Sequence, residues 1–238
     1  MQTLILPSFL LFGYLLGSLN GAHIISRIFY KKDISRLGTT NAGAGNIIKS
    51  IGIRAGVAVG FLDFIKGAVP ILVGLSFNLS PAALLFVGSA TIAGHNWPIF
   101  FRFRGGRGTA TLFGFVAAFS TQALVGITFM LFLLSLFPIS GVSPFLIVAL
   151  LDYLHLPKEG LFFLLGSITM LGVILIRRFQ TEWDQLKNAP DKILALFNMI
   201  FADHVKTGAK NRTDAITNLF KPKFIRKKDH GISSTKDL

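Results

Sequence analysis

Hydrophobic positions in this chain run in long blocks separated by short polar segments. A helix needs roughly 20 residues to cross about 30 Å of hydrocarbon, and shorter ones are tolerated when buried in a bundle or entering at a slant. On that rule the pattern predicts spans at residues 3–30, 53–76, 81–94, 109–119, 121–137, 144–155 and 160–176. The fourth and sixth are short. The polar AFSTQ at 118–122 marks a turn, so the stretch from 109 to 137 is read as two helices. The predicted fold is therefore all-α: a polytopic integral membrane protein of about seven transmembrane helices.

Beyond Ile176 the chain turns polar and basic as far as Leu238, which divides it into a membrane domain, 1–176, and a basic tail, 177–238. Within the tail, DKILALFNMIFADHV carries Ile193, Leu196, Phe197, Ile200 and Phe201 at helical spacing, predicting an amphipathic helix near 190–206 that lies on the membrane or the bundle. The last 18 residues, KPKFIRKKDHGISSTKDL, have the composition of a disordered, lipid-attracted segment. No internal repeat is evident.

Composition supports the membrane reading. Of 238 residues, 52% are hydrophobic and 15% charged, and the mean hydropathy is +0.62, too apolar for an ordinary soluble domain. Charge adds a direction. There are 24 Lys and Arg against 11 Asp and Glu, a formal net charge of +13. Nucleic acid would suit such a charge, but the basic residues sit beside hydrophobic runs, where anionic lipid and positive-inside topology account for them better. Lys31, Lys32, Arg36, Lys49 and Arg54 fall in the first predicted loop, Arg102, Arg104 and Arg107 in the third, and Arg177 and Arg178 after the last span. With seven spans all of these share one face, so that face is expected to be cytoplasmic and the N-terminus outside; Lys158 is the exception. The opening segment lacks a basic n-region and a small-residue cleavage site and is read as a retained first span. There is no cysteine, which excludes disulfides, thiol catalysis and thiolate metal sites.

Three polar segments carry candidate chemistry. KKDISRLGTTNAGAGNIIKS interleaves Gly38, Gly43 and Gly45 with Thr39, Thr40, Asn41 and Asn46, and Lys49 follows. Glycines let backbone N–H groups turn inward as a nest, and Thr and Asn add neutral donors, which suits phosphate oxygens. A flexible solvated loop would have the same composition. In GFLDFIKGAVP, Asp63 and Lys66 stand three apart on one helical face. Ionisable groups at membrane depth mark functional sites unless they neutralise one another as a structural pair. In GHNWPIFFRFRGGRG, His95 ends a span before Pro98, and three arginines surround Gly105, Gly106 and Gly108. His95 suits a general base or a hydroxyl-binding group, or a satisfied polar residue; the arginines suit an anion, or positive-inside anchoring. His23, Asp152 and His155 are read as structural first. No Walker A motif and no metal-ligand cluster is present, so neither nucleotide hydrolysis nor a metal is implied.

With those residues in view, the chain resembles the bacterial acyl-phosphate:glycerol-3-phosphate acyltransferases, the PlsY family, over roughly its first three quarters. GSLNGAHIISRIFYKKDISRLGTTNAGAGNI resembles the family's first motif region, and LDFIKG and GHNWPIFFRFRGGRGTAT the next two blocks. The resemblance implies a seven-helix enzyme of the cell inner membrane with its active site at the cytoplasmic face. It would transfer a fatty acyl group from acyl phosphate to the 1-hydroxyl of glycerol 3-phosphate, giving lysophosphatidic acid, with no metal or other cofactor. The expected partners are those two substrates and membrane lipids, not nucleic acid. It also implies substrate contacts from Gly38, Thr39, Asn41, Gly43, Asn46, Lys49, Lys66, Gly105, Gly106, Arg107, Gly108 and Ser143, with His95 as the catalytic candidate. Arg107 stands at a lysine position of the family and Lys49 at an arginine position. Thr39 replaces a serine, Thr40 a glycine and Gly45 a threonine. RRFQTEWDQL stands where the family has an HRENIRRL-like segment, so no His or Asn role passes to Arg178 or Thr181. The competing expectation is a non-catalytic phospholipid- or anion-binding protein or transporter on the same scaffold. Clustering of the polar residues at one end of the spans favours the enzyme.

Overall fold

The computed structural model describes residues 2–120, 148, 160–189, 191–193 and 195–196. Among these every regular element is helical: α1 (Gln2–Gly17), α2 (Gly21–Tyr30), α3 (Ala44–Ser50), α4 (Ile53–Ser76), α5 (Pro81–Asn96), α6 (Thr109–Phe119) and α7 (Leu161–Asn188), with short 3-10 turns at Ile34–Arg36 and Ile99–Phe101. Three stretches are long and apolar enough to cross a bilayer: Ile5–Tyr30, Ile53–Ser76 and Leu161–Trp183. The predicted spans 121–137 and 144–155, Ser143, Asp152 and His155 lie outside the described residues, Val148 excepted.

The chain divides into two compact units; of the described residues, one holds α1 to α6 and α7 as far as Arg178, and the other those from Phe179 onward. In the first unit, helices approach closely where the sequence places glycine. A side chain at Gly17 would strike the Thr91 backbone and one at Gly94 the Tyr14 carbonyl, which fixes α1 against α5; Gly67 and Gly114 do the same for α4 against α6. Small residues at such contacts are how helices pack where lipid removes the hydrophobic drive between them. The outer faces remain apolar and exposed, at Leu11, Phe61, Leu72 and Phe162 among others.

Three differences from the sequence reading matter for the site. First, the span expected over 3–30 is two helices broken at Ser18–Asn20. Asn20 starts α2 afresh, its Oδ1 accepting from the His23 N–H at 3.1 Å. Second, the segment between α2 and α4 is packed rather than loose: α3 lies within it, and Ile34, Ala42 and Ile47 join Ala22, Ile25, Ala55 and Val59 in one buried cluster. Third, α7 continues twelve residues past the predicted end at 176, to Asn188. α5 also runs two residues further than expected, to Asn96, whereas α6 has the predicted bounds. In the second unit, Phe179 packs on Trp183 with ring centroids 4.9 Å apart. Of the amphipathic helix expected near 190–206 only 191–193 and 195–196 are described, with Asp191 Oδ1 accepting from the Ile193 N–H at 3.1 Å.

Candidate functional site

The first polar segment is shaped by Asn46. Its Oδ1 accepts from the Thr39 N–H at 3.0 Å and from the Ser50 hydroxyl at 3.3 Å, while its Nδ2 donates to the Leu37 carbonyl at 2.9 Å. Both ends of the amide are thus engaged within the loop, so Asn46 acts as its internal brace. Gly38 sits against this brace with φ +55°, where a Cβ would collide with Asn46 Oδ1. Glycine is required there by conformation and by space. Thr39 and Lys49 are exposed at the surface, and Gly43 precedes α3 as its N-cap. The Asn41 amide oxygen is buried and has no hydrogen-bond partner among the described residues.

The second polar segment, Arg104 to Gly108, is held by its carbonyls. The Arg104 oxygen takes the His23 Nε2 proton at 2.6 Å. The Gly105 oxygen accepts from the Ala42 N–H at 3.2 Å and from Arg177 Nη2 at 2.7 Å, and the Gly106 oxygen from Arg177 Nε at 3.0 Å. Gly106 N–H in turn donates to the His95 carbonyl at 3.1 Å. Three successive peptide oxygens are therefore committed to donors of the scaffold. Gly105 and Gly106 admit this because a Cβ at either would strike the backbone or ring of His95.

The Ala42 to Gly105 hydrogen bond joins the two segments directly, and Asn20 Nδ2 reinforces it by donating to the Ala42 carbonyl at 3.2 Å. Thr39, Asn41 and Gly43 are thereby brought to the same part of the molecule as Gly105, Gly106, Arg107 and Gly108. Gly108 opens α6 at φ +76°.

Beneath this junction lies a buried ionic group. Lys66 Nζ is 2.8 Å from Asp63 Oδ1, both side chains almost wholly enclosed, and it also donates to the Leu19 carbonyl at 3.2 Å. Leu19 lies in the break between α1 and α2, where helical bonding of the backbone lapses; Lys66 supplies a donor that water cannot deliver inside a bilayer. His95 is 3% exposed, with Nδ1 3.5 Å from Asp63 Oδ1 and the other ring edge against Gly106. Lys66, expected as a substrate contact or a structural pair, is placed as the structural pair. Outside the spans, the Ser35 hydroxyl and N–H hold the Asp33 carboxyl below the usual range, so it stays ionised at neutral pH.

Sequence reasoning missed Arg177, which it took only as a topology marker, and Asn20. The signal for Arg177 was present as an arginine within helical reach of an apolar span's end, but nothing in the sequence says that it folds back on Gly105 and Gly106. His23, read as structural, holds the Arg104 carbonyl.

Comparison with known proteins agrees with the resemblance. A family model described as glycerol-3-phosphate acyltransferase matches residues 7–189. The chain is 36% identical over 200 residues to glycerol-3-phosphate acyltransferase 5 of Dehalococcoides mccartyi, covering 80% of this chain and 85% of that protein. Among solved structures it is similar to PlsY, an integral membrane glycerol 3-phosphate acyltransferase, in its glycerol 3-phosphate form, with TM-score 0.65, 28% identity, and 76% of this chain and 92% of that one covered. The lysophosphatidic acid form gives TM-score 0.64 at 28% identity, with 81% and 98% covered.

Proposed function

The chain belongs to the glycerol-3-phosphate acyltransferase family, and from that premise we infer that it is a multi-pass membrane enzyme transferring a fatty acyl group to glycerol 3-phosphate, with acyl phosphate as donor. The 1-hydroxyl oxygen of the acceptor attacks the acyl carbonyl carbon, an ester C–O bond forms, and the bond from that carbon to the phosphate oxygen breaks. The hydroxyl proton leaves with the phosphate. The products are lysophosphatidic acid and inorganic phosphate.

Two dianionic substrates repel each other, so the first task of the protein is to hold their phosphates together. Lys49 and Arg107 supply charge, Thr39 a hydroxyl, and the glycine turns allow close backbone approach. The lone Asn41 amide oxygen suits an acceptor hydroxyl, which would orient the nucleophile. Electrostatic stabilisation of charge developing on the leaving phosphate follows from the same cations. His95, enclosed behind Gly106 and oriented by Asp63, is read as a positioning residue for the glycine turn in place of the base expected from sequence. Ser143 keeps its proposed role as a substrate contact, and Lys66, engaged with Asp63 and the Leu19 carbonyl, is proposed as the internal cation under the site in place of the substrate contact expected from sequence. A seven-span topology with N-terminus outside and the site at the cytoplasmic face of the inner membrane completes the proposal.

The observation that carries the reading is the Ala42 to Gly105 hydrogen bond, since it makes one site of two loops separated by more than fifty residues. The test is purified protein given acyl phosphate and radiolabelled glycerol 3-phosphate. Labelled lysophosphatidic acid should form, and Arg107→Ala should raise the KM for glycerol 3-phosphate by about tenfold or more, the loss expected for one charge-assisted phosphate contact. Binding of both substrates with no product would favour the non-catalytic alternative.

A further inference from the structure

A cavity of about 250 Å³ lies beside the second polar segment but is lined by none of the residues assigned to the substrate phosphates. Four arginines line it, Arg27, Arg36, Arg102 and Arg104, together with one acidic residue, Asp33. Asp33 is shared at 3.8 Å with Arg27 and 3.7 Å with Arg36. Arg102 and Arg104 have no carboxylate within ion-pair distance among the described residues. One acidic residue thus stands among four permanent cations, an excess of positive charge that suits an anion.

The walls are built rather than incidental. His23 stacks flat on Phe101 at 4.6 Å between ring centroids, and Arg27 lies over the same ring at 5.8 Å. His23 is 1% exposed. Its Nε2 is committed to the Arg104 carbonyl, and Nδ1 has no hydrogen-bond partner among the described residues. Arg102 and Phe103 both take left-handed backbone, φ 53° and 59°, which is costly for side-chain-bearing residues and recurs at ligand sites. The turn is closed by Phe103 N–H to Pro98 at 3.0 Å and Arg104 N–H to Phe101 at 3.1 Å, so that Arg102 and Arg104 line one cavity.

We propose that this cavity is a second phosphate site, separate from the one between the two glycine-rich segments, that takes the phosphate of an anionic phospholipid headgroup or free phosphate. Guanidinium forks match phosphate oxygens two at a time. The surroundings favour the lipid source. Phe29, Phe100 and Phe103 flank the arginines and are 73%, 57% and 54% exposed, as expected where headgroups meet acyl chains. The proposal does not depend on acyl transfer.

The test uses the full chain purified in detergent, with native mass spectrometry under phosphatidylglycerol or phosphatidylcholine titration and equilibrium dialysis against radiolabelled inorganic phosphate. The Arg27→Gln/Arg36→Gln variant removes two walls, Arg102→Gln removes a third without touching Asp33, and Lys31→Gln/Lys32→Gln removes the same charge as the first outside the cavity. The first phosphatidylglycerol should bind about tenfold more weakly to the double-arginine variant, with the control unchanged and phosphatidylcholine binding equal in all. Loss confined to phosphatidylglycerol identifies the lipid source, loss confined to inorganic phosphate the free anion, and loss of both a site that reads phosphate alone. Binding unchanged in both arginine variants, or weakened equally by the lysine control, overturns the proposal.

Discussion

Thr40 shows how a single substitution in a glycine-rich turn is tolerated. It holds φ 58°, a conformation glycine adopts freely and a β-branched residue does not. Its own hydroxyl, donating to the Thr39 carbonyl at 2.7 Å, returns part of that cost. Thr40→Gly should therefore raise stability by up to about 1 kcal/mol, read as a higher unfolding temperature in detergent; a lower one would show that the turn is not strained. Arg177 is the opposite case, a residue whose neighbours depend on it. One guanidinium serves two carbonyls, a bidentate geometry an ammonium cannot reproduce. Arg177→Lys should retain the charge and lose one bond, Arg177→Ala both. We expect kcat/KM to fall stepwise through the two variants, by about tenfold or more for alanine, mainly in kcat if the glycine turn must be held for the transition state. The motif positions were legible from glycine and arginine spacing, but Arg177 was not, because a long side chain's target lies in another element.

At the scale of elements, the broken first span and the charged α4 explain each other. Continuous hydropathy over 3–30 conceals the break, since Ser18, Leu19 and Asn20 interrupt the pattern too briefly to separate two helices. The three-residue spacing of Asp63 and Lys66 disclosed a pair, while its use at Leu19 required the tertiary structure. The pair is enclosed enough that removing one partner strands the other. Lys66→Met should cost about 3–5 kcal/mol by leaving Asp63 unpaired beside His95 and Leu19 without its donor, and adding Asp63→Asn should recover a large part of that loss. A double-mutant cycle on unfolding in detergent measures this. Equal, additive losses would mean that Lys66 acts on the Leu19 carbonyl alone. The first polar loop could be read as either a nest or a loose segment for a related reason: its apolar residues Ile34, Ala42 and Ile47 are too scattered to suggest a core, yet they pack together in one.

For the molecule as a whole, the sidedness of the site follows from α4. Its 24 residues span about 36 Å at 1.5 Å per residue, enough for the hydrocarbon layer, so Arg54 and Ser76 stand at opposite ends. The proposed enzyme draws a soluble phosphate ester from the cytoplasm, which requires the Arg54 end, adjoining α3 and the glycine-rich segment, to face inward; the weight of basic residues at that end agrees. The absence of cysteine makes this directly measurable, because each introduced thiol is the only one. In intact cells a membrane-impermeant maleimide should label Ser76→Cys at once and Arg54→Cys only after permeabilisation. Both positions are exposed and neither contributes to the substrate site. The reverse pattern would put the Thr39, Lys49 and Arg107 cluster on the side away from its acceptor, and the acyl-transfer reading would fail with the topology.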